Sequence, residues 1–224
     1  VSADSPPAFG NLLAYNDEIV PWIQRLTDGI HEHGCVAMIQ ISHLGRRTGW
    51  GQDDWLPVVA PSAIREPAHR SHPKAAEQWD IHRIIRDYAD AAERMKAGGM
   101  DGIEIESYGH LFDQFLSPLT NQRDDEWGGS FEGRLRFPLE VLRAIRGRVG
   151  PDFIVGVRMA IDEAKPDGID TPTGIAILQR YTDESLIDFV NVIRGTIFTD
   201  AELSDVIPIH GMAAAPHLDF AGHR

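Results

Sequence analysis

The chain has 224 residues, 42% of them hydrophobic, and 21 Lys+Arg against 34 Asp+Glu give a net charge of −13. This ordinary globular composition can bury a core without staples, and its acidity argues against nucleic acid or an anionic membrane, which need a basic face. A single cysteine, Cys35, excludes a disulfide framework and a C-x-x-C metal or cluster site within these residues.

Asn16-Asp17-Glu18 is a capping sequence, and Ile19, Ile23, Leu26 and Ile30 follow at helical spacing until Gly34, which predicts a first helix. Residues 35–41 form a short apolar, partly β-branched run and read as a buried strand. Prolines, glycines and charges without a period make 42–74 a long loop. A second helix carries Ile81, Ile84, Ile85, Tyr88, Ala92 and Met95 and ends at Gly98-Gly99, and residues 102–105 are the next strand. A long loop, 106–130, precedes a helix through Leu135, Leu139, Leu142 and Ile145. Gly150-Pro151 then separates it from a strand at 153–159, and a helix near 175–181 leads to a strand at 187–193.

Alternating helices and buried-type strands imply parallel pairing in an α/β fold. The helix-to-strand links are short, whereas the strand-to-helix links are long and carry the polar and aromatic residues, as in a (β/α)8 barrel whose active face lies beyond the strand ends. No G-x-G-x-x-G joins a strand to its helix, which disfavours a doubly wound sheet. Four strands cannot close such a barrel, and the chain opens without methionine, so residues 1–224 are expected to be one partial barrel domain from a longer polypeptide. No apolar run approaches the roughly 20 residues of a membrane span and no secretory segment is evident, so the cytoplasm is the expected location.

Several residues beyond the strands offer chemistry. Gln40 carries both a donor and an acceptor, suited to the edge of a flat heteroaromatic ring or to fixing its own loop. His43 is a candidate for orienting substrate, and Arg46 and Arg47 read as surface charges. Glu106, Tyr108 and His110 place a carboxylate, a phenol and an imidazole together, with Gly109 permitting the turn that presents them; packing by Tyr108 and capping by His110 is the alternative. The acidic stretch 124–132 reads as a turn feeding a helix cap. Arg158, ending an apolar strand, needs an anionic partner: Asp162, Glu163 or a reduced flavin.

As a set, Gln40-Ile41-Ser42-His43-Leu44-Gly45-Arg46, Asp101-Gly102-Ile103-Glu104-Ile105, Gln114-Phe115-Leu116-Ser117-Pro118 with Asn121 and Arg123, Glu126-Trp127-Gly128-Gly129-Ser130 and Gly156-Val157-Arg158 resemble the old yellow enzyme family of FMN-dependent oxidoreductases. The resemblance implies the third to sixth βα units of a (β/α)8 TIM barrel, with Gln40 at the flavin pyrimidine and Arg158 near its N1 and O2. The segment Glu106-Ser107-Tyr108-Gly109-His110 lacks the His-x-x-His or His-x-x-Asn pair of ene-reductase members and is similar to the amine-oxidising branch that demethylates dimethylglycine or N-methylproline. Oxidative N-demethylation of a small N-methylated amine or amino acid is therefore expected, with Tyr108, His110 and Glu106 as catalytic residues and His43 at the substrate. The alternatives are an NAD(P)H-dependent ene or dienoyl-CoA reductase and a non-catalytic barrel remnant acting as a binding subunit. Expected partners are a small-molecule substrate, NAD(P)H or another redox partner, and further copies in a homo-oligomer. An iron-sulfur cluster would belong to a C-terminal extension outside these residues.

Overall fold

Asn16 accepts a hydrogen bond from the Glu18 backbone N–H at 3.0 Å, and one 3-10 turn (Asp17–Ile19) leads into α1 (Val20–His31). The computed structural model describes residues 1–5, 10–48, 56–207, 209–212 and 216–222. Strand β1 (Met38–Ile41) follows, then β2 (Val59–Ala60), β3 (Lys74–Ala75), α2 (Gln78–Ala97), β4 (Gly102–Ser107), α3 (Leu111–Leu116) and α4 (Phe131–Val149). Strand β5 (Ile154–Asp162), α5 (Thr171–Asp183), β6 (Phe189–Arg194), α6 (Asp200–Val206) and α7 (Pro216–Gly222) complete the order.

The main sheet is wholly parallel in the order β1-β4-β5-β6. Strands adjacent in this succession lie adjacent in space, with no reversal of order, which is the arrangement of a barrel arc rather than of a doubly wound sheet. The outward faces of β4 and β5 (Ile103, Ile105, Val155, Val157 and Met159) are fully buried beneath α2 and α4, in a core with Tyr88, Phe112, Phe115, Phe137 and Tyr181. A carboxylate closes the sheet's lower rim twice. Asp101 accepts from the Ala37 N–H at 2.7 Å, and Asp188 from the Val155 N–H at 2.8 Å, each linking neighbouring strands where the ladder begins.

Three expectations need correction. The run 35–41 is not a buried strand: Val36 is 67% exposed and Met38 39%, because β1 pairs only with β4 and is an edge among the described residues. The predicted loop 42–74 holds β2, paired in parallel with β3, while its residues 49–55 lie outside the described residues. The predicted loop 106–130 contains α3, whose six residues are all buried. The stretch 124–132 does act as a turn and cap: Asp125 accepts from the Trp127 N–H at 3.0 Å, and the Ser130 hydroxyl accepts from Gly133 N–H to start α4.

Candidate active site

Side chains alternate along a strand, so the apolar outward positions leave a second set facing the concave side of the arc. That set is polar. Register places Gln40 beside Glu104, and Glu106 beside Arg158, which in turn lies beside Asn191. Gln40 Nε2 donates to Glu104 Oε1 at 2.7 Å, and Asn191 Nδ2 donates to Glu104 Oε2 at 3.3 Å, so one carboxylate ties three strands together. Glu104 was not among the candidate residues, although a lone carboxylate in an apolar strand is the signal that marks it.

Arg158 bonds to neither of its expected protein partners. Asp162 instead accepts from Thr171 Oγ1 at 2.9 Å and lies 3.6 Å from Arg194, while Glu163 accepts from Ser117 Oγ at 2.8 Å and from the Ile169 N–H at 2.6 Å. The Arg158 guanidinium lies 5.7 Å from the centre of the Tyr108 ring, and its Nε is buried with no hydrogen-bond partner among the described residues. A buried cationic donor left open on the concave face is what an anionic or strongly accepting ring edge requires.

Along the open edge of β1 and past its end lies a cavity of about 570 Å³, lined by Ile39, Gln40, Ser42, Arg47, Glu106 and His110 among others. His110 Nδ1 is 3.1 Å from Glu106 Oε2 and 3.0 Å from Ser42 Oγ. The carboxylate assigns the proton to Nδ1, which leaves the Nε2 lone pair of the neutral ring as an acceptor. Gly109 makes the turn between Tyr108 and His110 with φ +69°, and a Cβ there would stand 2.4 Å from Ile197 Cδ1; its N–H donates to Asp113 Oδ2 at 2.9 Å. Tyr108 is not one of the cavity-lining residues. It packs with Ala160, Ile193 and Ile197, its hydroxyl has no partner, and burial pushes the phenol up to about 12 while the nearby Arg158 and Arg47 oppose the shift.

His43, expected at the substrate, is instead completely buried. Gly45 N–H donates to its Nδ1 at 3.0 Å, so Nε2 carries the proton and donates to Asp4 Oδ1 at 3.1 Å. Both ring nitrogens are engaged by the protein, and burial lowers the imidazole pKa against the pull of Asp4. Arg46 and Arg47 are not surface charges either. Arg46 is 5% exposed and donates to the Ile64 carbonyl at 3.3 Å, and the Arg47 side chain, largely buried, pairs with Glu66 at 3.2 Å. Near Arg46 lie two further buried carboxyls, Asp113 and Glu163, both held above the usual carboxylate range, chiefly by burial.

The model of the NADH:flavin oxidoreductase / NADH oxidase family matches residues 1–203. A probable N-methylproline demethylase of Rhizobium meliloti (strain 1021) is 64% identical over 222 residues, covering 99% of this chain and 33% of that protein. The N,N-dimethylglycine/sarcosine dehydrogenase of Chromohalobacter salexigens is 45% identical over 223 residues, covering 99% of this chain and 32% of that protein. The chain thus spans about a third of the length of these curated relatives. Among solved structures, morphinone reductase superposes with a TM-score of 0.77 at 28% identity, covering 89% of this chain and 58% of that one. Histamine dehydrogenase from Rhizobium sp. 4-9 superposes with a TM-score of 0.71 at 30% identity, covering 81% and 27% respectively.

Proposed function

Because the chain belongs to the NADH:flavin oxidoreductase / NADH oxidase family, that of the old yellow enzymes, we propose that the protein oxidatively demethylates a small N-methylated amine or amino acid with FMN as its cofactor. The observation that carries this reading is the Glu106–His110 pair on a cavity that also reaches Gln40. The two curated relatives, whose names specify N-methylated amino acids, support the same substrate class.

The residues present fit a flavin. Arg158 offers a buried donor with no partner among the described residues, and Gln40 offers a donor and an acceptor at the mouth of the arc, so these two would hold the pyrimidine side. The chemistry supplied by bound FMN is acceptance of a hydride from the N-methyl carbon.

An ammonium has no lone pair to stabilise the iminium that hydride loss creates, so the substrate must first shed its proton. His110 Nε2 takes that proton, while Glu106 fixes the ring's tautomer and stabilises the imidazolium that forms. Tyr108 keeps its proton throughout the ordinary pH range, and its ring steadies Arg158. Water then adds to the iminium carbon, and breaking the C–N bond releases formaldehyde and the demethylated amine. The cycle closes when an electron acceptor removes the two electrons taken from the substrate.

Anaerobic mixing of the full-length, flavin-loaded protein with dimethylglycine, N-methylproline and related amines tests the reading. Bleaching of the flavin with formaldehyde release is expected. No bleaching by any amine, together with rapid NAD(P)H oxidation on adding an enone or dienoyl thioester, would assign the protein to C=C reduction instead.

A further inference from the structure

The cavity lining includes charged groups that the proposed chemistry does not use, among them Arg47 and Asp200. Arg47 lines the same wall system as Glu106 and His110, and its side chain is only 16% exposed. Its Nη1 donates to Glu66 Oε1 at 3.2 Å and to the Ile197 carbonyl. Among the described residues its Nε and Nη2 make no hydrogen bond, so the guanidinium is gripped at one corner and keeps an open two-nitrogen edge. Glu66 is 2% exposed, and its other oxygen accepts from the His69 backbone N–H and lies 3.2 Å from His69 Nδ1. The bracing carboxylate is therefore fully engaged, and His69 also lines the cavity.

We infer that Arg47 is the carboxylate-recognising residue of this site and restricts its substrates to N-methyl amino acids rather than simple N-methyl amines. This rests on the demethylase reading, whose base it complements. A cavity with a carboxylate–imidazole pair and an open guanidinium edge matches a zwitterion: the amine meets His110, and the carboxylate takes both free nitrogens of Arg47 in the planar fork geometry that arginine offers and lysine does not. An amine without a carboxylate leaves the arginine edge unmatched in a largely buried setting, which penalises it relative to the amino acid.

The test is the ratio of kcat/KM for N-methylproline to that for N-methylpyrrolidine, its counterpart without the carboxylate, in the full-length flavin-loaded protein. The wild type is expected to favour N-methylproline, and Arg47→Gln to lower that ratio by about 10- to 100-fold, the range of a lost charge-assisted hydrogen-bond pair. Arg47→Lys keeps the charge without the fork and is expected to recover part of the ratio; it carries the test if the glutamine variant loses its flavin. Calorimetric titration with proline, the demethylated amino acid, gives a readout independent of turnover, and Arg47→Gln is expected to weaken that binding at least tenfold. Wild-type protein that binds proline through Arg47 but oxidises neither N-methyl compound would sustain this inference while removing the demethylase reading. A wild type with no preference between the two substrates, equal losses for both in Arg47→Gln, or proline binding unchanged in that variant would each overturn it.

Discussion

The loops after β1 and β4 each carry a histidine a short distance past the strand, and the two sit in opposite settings. His43 is enclosed, with one ring nitrogen accepting from Gly45 and the other donating to Asp4, which in turn holds Arg83. His110 has one nitrogen set by Glu106 and Ser42, and it borders a cavity. On the proposed reading, what separates a structural from a reactive histidine is whether the second ring nitrogen is taken. The residue type and its place on the sheet are the same in both loops.

The comparison breaks most severely at Asp4. Asp4→Ala leaves buried His43 without its acceptor and half-buried Arg83 with Asp87 and Ser2, and is expected to cost about 1–3 kcal/mol, the range for leaving a buried donor unsatisfied. Chemical denaturation measures it, and a loss under 1 kcal/mol would mean the His43 network is not structural. Glu106→Gln is the counterpart in the second loop. We expect it to lower the rate of flavin reduction by substrate about 100-fold at neutral pH while shifting denaturation by no more than about 0.5 kcal/mol. A destabilisation as large as that of Asp4→Ala would place both histidines in the same structural class.

Acidity sharpens the contrast further. The folded-state pKa of His43 lies below 6.5 and that of Asp4 below 3.8, so the stability each contributes is present above those values and lost as pH falls through the folded values. Melting temperature is therefore expected to drop as pH is lowered from 7 toward 4, and this slope to steepen in Asp4→Ala, because the carboxylate that pulls the imidazole pKa up against burial is gone. A slope unchanged by the substitution would remove the first loop from acid denaturation. The smallest effect has the opposite sign. Asp113 has a raised pKa and one buried oxygen without a partner, so its contribution is present below 3.8 and lost as pH rises through the folded value. Asp113→Asn keeps an acceptor for the Gly109 N–H and removes the buried charge, and we expect it to stabilise the protein by about 1 kcal/mol at pH 8. Destabilisation there would show that the charge itself is needed beneath the Tyr108–His110 turn.

Long amphipathic segments were legible in the sequence because their period is imposed by a single buried face: α2 and α4 run where Ile81 to Met95 and Leu135 to Ile145 place them. The consecutive parallel order followed from the alternation of short and long links. The helix α3 was not legible, because Leu111–Leu116 is buried on every side, its Asp113 and Gln114 included, and has no exposed face to set a period. Strands β2 and β3, two residues each, are too short to carry a pattern. The helix α6 carries a local signal in the Thr199–Glu202 capping box. At the site, Glu106, His110 and Gln40 were recognisable by residue type at strand ends. Neither the enclosure of His43 nor the bracing of Arg47 by Glu66 was, since both depend on contacts between distant loops: 39 residues separate His43 from Asp4, and 19 separate Arg47 from Glu66.

The central claim is that His110, held by Glu106, removes the substrate's ammonium proton before hydride loss. The most direct measurement is the anaerobic rate of flavin reduction by N-methylproline in full-length wild type and His110→Ala, at pH 7 and again above the amine's own pKa, where the substrate is already neutral. The account predicts a deficit of about 100-fold at pH 7 that shrinks below about 10-fold at the higher pH, because the base is then no longer needed. A deficit of the same size at both pH values would contradict it and leave His110 as a packing or positioning residue.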